Sequence, residues 1–324
     1  MFIKRKEIIA KINHFAGRGD SFLFAIDFVG KNGFVLSPQE ADIKGIRYDI
    51  GGIKNSAKTE AKDPLNFDFF PIDFETYKTA FEKVVFHLNR GDTYLLNLTF
   101  PTLLQSNLSL PEIFDISRAP FKLFVPGLFV VFSPEAFIRI KDSGIFSCPM
   151  KGTIDAAVPD AEQRLLADKK EFFEHNTIVD LIRNDLSMVS TNVKVTRFRY
   201  LDRIRTNRGE LLQMSSEIRG DLPQAYLKRL GEIIFALLPA GSVTGAPKEK
   251  TVEIIRDVEL YDRGFYTGIF GYFDGHSLSS AVSIRFIEQK DGGLTFKSGG
   301  GITALSNLRD EYDEMLKKVY VPVV

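Results

Sequence analysis

The chain has 324 residues, 44% of them hydrophobic, which is enough for a sizeable core and too apolar for a disordered protein. Its 42 basic and 42 acidic residues cancel, so no global field favours nucleic acid or an anionic membrane surface. The single cysteine excludes an internal disulfide, as expected in a reducing cytoplasm, and nowhere does an uncharged apolar run reach the ~18 residues of a membrane span.

The opening MFIKRKEIIAKINHF is basic and apolar, but charges interrupt it and no small-residue cleavage site follows, unlike a secretory signal. Residues 21–38 read as two strands around a Gly-Lys-Asn-Gly turn. The polar stretch 54–66, containing Pro64, is the best linker or loop candidate. Tyr77, Phe81, Val84, Val85 and Leu88 form the apolar stripe of a helix over 74–91, with Gly91 as its stop. TYLLNLTFP, FVVFSP and FIRIKDSGIFSCP follow as strands, and residues 159–189 hold a long helix in their middle. NVKVTRF, FYTGIFGYFD, SSAVSIRFIEQ and GLTFKSGGGI are further strands, with a hairpin around DGHS (274–277) and helices at 222–238, 247–257 and 308–319. Strands outnumber helices and come in hairpin-like runs, so the expected fold is α+β and mostly antiparallel, without regular βαβ alternation. There is no internal repeat and no low-complexity tract.

Several side chains stand out within this frame. Glu171 and Glu174 are three apart on the long helix and share a face, and Glu311 and Glu314 repeat that spacing on the last one. Facing pairs of this kind suit a hard divalent cation such as magnesium, although acids in a first helical turn are favoured by the helix dipole without any metal. PAGSVTGAPKEK (239–250) turns through Gly241 and Gly245 into a helix opening at Pro247, and KSGGGITALS (297–306) is a second glycine-rich turn; both are candidate anion nests. The first lacks the spacing of a phosphate-binding P-loop. Asp180, Arg183, Asn184 and Asp185 read as a structural ionic cluster on an otherwise apolar helix. Arg285, in the strand-like SIRFI, either points to solvent or clamps a carboxylate. Tyr266 also falls in an apolar strand. None of the four histidines stands with Cys148 or a serine as a nucleophile pair, and Cys148 reads as a small strand hydrophobe. In CPMKGT (148–153), Lys151 precedes a Gly-Thr turn, where it is either a solvated loop residue or a nucleophile.

The motifs PMKGT, E-x-x-E-H with VDLIRNDL, GSVTGAPK, YTGIFGY, SIR, GGGI and EYDE occur in that order. Together they resemble the chorismate-utilising enzymes: anthranilate synthase large components, aminodeoxychorismate synthase component I, and isochorismate and salicylate synthases. The resemblance runs from about residue 77 to the end and is loose over residues 1–70, within one catalytic domain spanning 1–324. It implies two antiparallel sheets packed as a sandwich with helices outside. It also implies magnesium on Glu171, Glu174, Glu311 and Glu314, gripping the ring carboxylate of chorismate. Thr244 and Gly245 would line the pocket. Tyr266 and Arg285 would hold the enolpyruvyl carboxylate, helped by the backbone of Gly299, Gly300 and Gly301.

Lys151 then places the chain among the aminodeoxychorismate synthases, because the anthranilate-forming branch carries alanine there. In that branch the lysine attacks ring carbon 2 and expels the 4-hydroxyl, after which ammonia adds at carbon 4. The implied product is 4-amino-4-deoxychorismate, on the route to 4-aminobenzoate and folate. Gln213 occupies the position of a histidine in the anthranilate branch, and glutamine is no general acid, so Lys248 or Glu174 is the expected substitute. No glutaminase nucleophile is evident, so a glutamine amidotransferase partner is expected to supply the ammonia. Neither a lyase segment nor the tryptophan-binding L-L-E-S motif is visible. An anthranilate- or isochorismate-forming enzyme is the alternative, and a non-catalytic chorismate- or anion-binding protein the alternative from another class.

Overall fold

The computed structural model describes residues 1–56, 66–206 and 209–323. Two antiparallel sheets form a sandwich. The first runs, edge to edge, Ile3–Lys4, Asn32–Leu36, Phe22–Ile26, Ile269–Phe273, Leu278–Val282, Ala136–Lys141, Gly144–Ser147, Gly209–Asp221 and Met150–Asp155, with Thr191–Thr206 also paired to Gly209–Asp221. The second runs Gly245–Ala246, Leu95–Ser106, Gly293–Ile302, Phe286–Lys290, Phe129–Ser133, Phe121–Val125, Arg47–Ile50 and Ile53–Lys54, with Phe67–Phe70 beside Leu95–Ser106.

Burial on both faces explains the unbroken apolar runs that the sequence shows. In Phe22–Ile26, Phe22, Phe24 and Ile26 face an outer layer of helices, while Leu23 and Ala25 face the second sheet. The core between the sheets joins Leu23, Phe34 and Phe270 to Tyr48, Leu123, Val131 and Phe286. Outside the first sheet, Ile8 and Ile12 of the helix Arg5–Arg18 pack with Ile233 and Ile234 of the helix Leu230–Ala236 and Val179 and Leu186 of the helix Lys169–Ser187. Outside the second sheet, the helices Phe74–Arg90, Lys248–Val258 and Leu308–Lys317 cover Leu96, Leu98, Phe100 and Ile302. The first 56 residues are woven into both sheets.

The chain crosses between the sheets at two places that matter for the site. It passes from Phe129–Ser133 to Ala136–Lys141 through Pro134 and Glu135, and from Leu278–Val282 to Phe286–Lys290 through Ser283, Ile284 and Arg285. The crossings are hydrogen-bonded to each other. Phe132 N–H donates to the Arg285 carbonyl at 3.1 Å, and Val282 N–H donates to the Glu135 carbonyl at 3.1 Å.

The structure alters several sequence expectations. SSAVSIRFIEQ is two strands in different sheets, so Arg285 lies at a break and not within a strand. Tyr266 lies in a turn ahead of Ile269–Phe273. The long helix of 159–189 is two helices, Ala161–Ala167 and Lys169–Ser187, because Asp168 is extended and caps the second by accepting from Glu171 N–H at 3.0 Å. The glycines of the GGGI motif lie within the strand Gly293–Ile302, paired with Leu95–Ser106, and not in a turn. The helix expected over 222–238 narrows to a 3-10 turn, Tyr226–Arg229, and Leu230–Ala236. Of the linker candidate 54–66, residues 57–65 lie outside the described residues.

Candidate active site

Lys151 is not in a turn. It lies in the strand Met150–Asp155, at a β-bulge: Met150 pairs with Ser215 and Thr153 with Gln213, so Lys151 and Gly152 together oppose Met214. Gly152 has φ of +88°, and a Cβ there would stand 3.0 Å from Glu171 Oε2, so conformation and close approach both require glycine. The bulge delivers Lys151 Nζ to 2.7 Å from Glu174 Oε2, on the helix Lys169–Ser187. Burial alone would lower the Lys151 amine, but the carboxylates of Glu174, Glu314 and Glu171 outweigh it and hold the amine above its ordinary value.

The second acidic pair belongs to the helix Leu308–Lys317, whose first turn is held by Asn307 accepting from Arg309 and Asp310 N–H. Glu311 is 5% exposed and accepts from Ser306 Oγ at 2.7 Å. Glu314 Oε1 lies 2.7 Å from Lys318 Nζ, which also donates to the Gly299 carbonyl at 2.8 Å. A Cβ on Gly300 would stand 3.3 Å from Glu311 Oε2 and 3.5 Å from Glu314 Oε1. The glycine strand therefore serves as a bed for these carboxylates.

Both sheet crossings contribute side chains. Burial pushes the Glu135 carboxyl above the usual range, while its bond from Ser242 Oγ at 2.5 Å and the charges of Arg285, Lys318 and Lys151 pull the other way. Arg285 has φ of +53°, a strained conformation for a non-glycine residue, and its buried Nε has no hydrogen-bond partner among the described residues. Its guanidinium stands 5.0 Å from the centre of the Tyr320 ring. An unsatisfied guanidinium N–H of this kind suits an incoming carboxylate. Tyr266 is 3% exposed, and burial pushes its phenol well above its ordinary value.

The GSVTG segment forms the adjoining wall. Thr244 is fully buried, its hydroxyl donating to the Ala240 carbonyl at 2.8 Å and its carbonyl accepting from Asn97 N–H at 3.0 Å. Gly245 has φ of +126° and lies so close to the strand Leu95–Ser106 that a Cβ would fall 1.7 Å from the Leu95 carbonyl oxygen. It opens a two-residue edge strand and not a nest. Lys248 does not join the cluster: its amine is 2.7 Å from Asp185 and donates to the Leu237 carbonyl at 2.8 Å. This tie gives Asp185 its structural role. Arg183 and Asp180 form an exposed pair instead of a buried cluster.

Two residues of this neighbourhood, Glu135 and Lys318, escape the sequence reading. Glu135 looks like a loop acid after Ser-Pro, yet it follows an apolar strand at a crossing. Lys318 carried a signal, standing four residues after Glu314 at the C-terminal cap of the same helix. His175 is fully buried with Nε2 2.7 Å from Ser216 Oγ, and burial together with Arg199 lowers it to about 4, so it is neutral at pH 7.

For a cation, the chemistry of the four glutamates fits: hard oxygen donors on two helices, with ammonium groups already seated against Glu174 and Glu314. Among the described residues no three acidic, imidazole or thiol side chains converge as a ready-made metal cluster. Cation binding here would displace Lys151 and Lys318 from those carboxylates.

The sandwich and its paired crossings define an α+β fold with a cluster of carboxylates and cations gathered near the crossings. The chain belongs to the chorismate binding enzyme family, whose profile matches residues 36–323. It is 49% identical over 318 residues to a Haemophilus influenzae protein named an uncharacterized PabA-like protein, covering 98% of this chain and 97% of that one. It is 31% identical over 261 residues to aminodeoxychorismate synthase component 1 of Klebsiella aerogenes, covering 76% of this chain and 56% of that protein. Among solved structures, an isochorismate synthase from Bacillus anthracis superposes with a TM-score of 0.74 at 20% identity, over 98% of this chain and 89% of that one. No helix among the described residues is long and apolar enough to cross a membrane.

Proposed function

We propose that this protein converts chorismate and ammonia into 4-amino-4-deoxychorismate and water, with Lys151 as the nucleophile. The observation that carries this reading is the bulge that sets Lys151 Nζ against Glu174, within the field of Glu171 and Glu314 and on the side of the site that Glu135 and Arg285 occupy. The similarity to aminodeoxychorismate synthases supports it. Arg285 and Tyr266 receive one carboxylate of the substrate dianion, through the unsatisfied guanidinium N–H. Magnesium held by Glu171, Glu174, Glu311 and Glu314 supplies, when bound, positive charge for the ring carboxylate.

The amine attacks only when deprotonated, and release from Glu174, the carboxylate that stabilises its charge, favours the free amine. A bond forms from Lys151 Nζ to ring carbon 2, the ring double bonds shift, and the carbon 4–oxygen bond breaks. Glu135, whose burial favours the protonated carboxyl, gives the departing hydroxyl its proton. Ammonia then bonds to carbon 4, the double bonds shift back, and Lys151 leaves as the amine. A glutamine amidotransferase is the proposed source of the ammonia. This assigns proton donation to Glu135 in place of Lys248, which is bound to Asp185.

The test is turnover of chorismate by the purified chain with magnesium and an ammonium salt at alkaline pH, products read by chromatography. Aminodeoxychorismate is the expected product; accumulation of anthranilate without it overturns the reading. Mass spectrometry after exposure to chorismate without ammonia should find a covalent adduct on Lys151.

A further inference from the structure

Behind the walls just described lies a fully enclosed ion pair that no substrate contact accounts for. Arg263 and Glu259 have side chains 1% exposed, with Arg263 Nε donating to Glu259 Oε2 at 2.8 Å and Nη2 to Glu259 Oε1 at 2.5 Å. Glu259 is fixed from the other side by Thr99, whose N–H and hydroxyl each donate to Oε1 at 2.9 Å. The guanidinium spends its remaining N–H groups on three separate segments. Nη1 donates to the Val243 carbonyl at 2.9 Å and to Thr267 Oγ1 at 3.2 Å, and Nη2 donates to the Asn97 carbonyl at 2.5 Å. Phe28 closes the cluster, its ring centre 4.5 Å from the guanidinium carbon.

Each segment ends at a wall of the site. Val243 precedes Thr244 and Gly245. Thr267 follows Tyr266, and its hydroxyl also donates to the Tyr266 carbonyl at 2.6 Å. Asn97 pairs with Gly301 in the glycine strand, and its own N–H holds the Thr244 carbonyl. Thr267 has φ of +58°, so the turn carrying Tyr266 is held in a conformation that it would leave without support. A buried ion pair is weak evidence of stability for its own sake, since apolar side chains often pack as well. Here a planar fork with five donors reaches carbonyl and hydroxyl groups that a lysine ammonium cannot reach together.

We infer that Arg263, braced by Glu259, is a positioning residue that fixes the spacing between the Thr244–Gly245 wall, the Tyr266 turn and the glycine strand. The inference rests on the reading of this site as the place where chorismate binds. Misplacement of about 1 Å at such a site costs on the order of 10²-fold in rate.

The experiment compares wild-type protein with Arg263→Lys, Thr267→Ala and Thr267→Ser, each checked by thermal melting and circular dichroism. Arg263→Lys should raise KM for chorismate and lower kcat/KM by about 10²-fold in folded protein. Thr267→Ala removes one arm of the clamp without unpairing the buried charge, and should raise KM while Thr267→Ser restores most of the affinity. If Arg263→Lys fails to fold, the Thr267 pair decides alone. Folded Arg263→Lys, or Thr267→Ala, with kcat and KM both within about twofold of wild type overturns the inference, since a merely structural role moves the melting temperature alone. Calorimetric titration with chorismate keeps this apart from the amination reading. Wild-type protein that binds chorismate without turning it over defeats amination, and the clamp is then judged by whether these variants weaken binding.

Discussion

Lys151 in the ligand-free protein is a paired ammonium, and that has a measurable consequence. Substituting it with alanine should lower the rate of chorismate amination by about 10³-fold or more, equivalent to ~4 kcal/mol of transition-state stabilisation. Unchanged turnover would remove its role as nucleophile. Glu135→Gln keeps the shape and the bond from Ser242 but has no proton to give, so kcat should fall by about 10²–10⁴-fold in steady-state assays while the melting temperature stays within a few degrees. The glutamates, Tyr266, Arg285 and Lys151 were legible in the sequence because they sit in short ordered motifs. Glu135 was not: an acid after Ser-Pro has the local chemistry of a solvated loop. Only the pairing of two distant crossings shows it turned inward. The bulge was equally hidden, because PMKGT carries no local sign that two of its residues oppose one on a partner strand 60 residues later.

At the scale of elements, Gly245 shows how little space separates the pocket wall from the second sheet. Gly245→Ala should destabilise the protein by about 2 kcal/mol or more in urea denaturation, since the backbone itself must move to clear the Leu95 carbonyl. The substitution should also weaken chorismate binding. Helices with a clear apolar stripe and a glycine stop were readable, as Phe74–Arg90 with its left-handed Gly91 shows. So were hairpins such as the pair joined at 274–277. The partner strand Gly209–Asp221 was missed because its polar and apolar residues mix without strict alternation. SIRFIE misled for another reason: period-2 alternation describes side-chain direction within one sheet, and the chain changes sheets in its middle.

For the molecule as a whole, the double-sided burial of the sandwich traps polar ends as well as apolar ones. Burial holds the phenols of Tyr48, Tyr77, Tyr261 and Tyr266 above their ordinary value. A group whose folded pKa is raised contributes stability that is fully present below its unfolded pKa and lost as pH rises beyond it. These tyrosines therefore weaken the fold as pH climbs above about 10, where the unfolded chain's phenols ionise. Absorbance titration should find at least five of the ten tyrosines, Tyr48, Tyr77, Tyr200, Tyr261 and Tyr266, largely un-ionised at pH 11 in folded protein and ionised at once in urea. Full ionisation without unfolding would refute this.

The hydrogen-bonded crossings at Glu135 and Arg285 make the site a seam of the sandwich, with one residue on each path between the sheets. A molecule gripped from both sides of a seam acts as a rivet. Its binding energy enters the cohesion of the two layers directly, and the ligand should stabilise the fold by ~2.7 kcal/mol at a hundredfold excess over its Kd. Thermal shift with chorismate then reads occupancy without any chemistry. Cutting the rivet's grip at Arg285 should abolish the shift while leaving the bare melting temperature nearly unchanged.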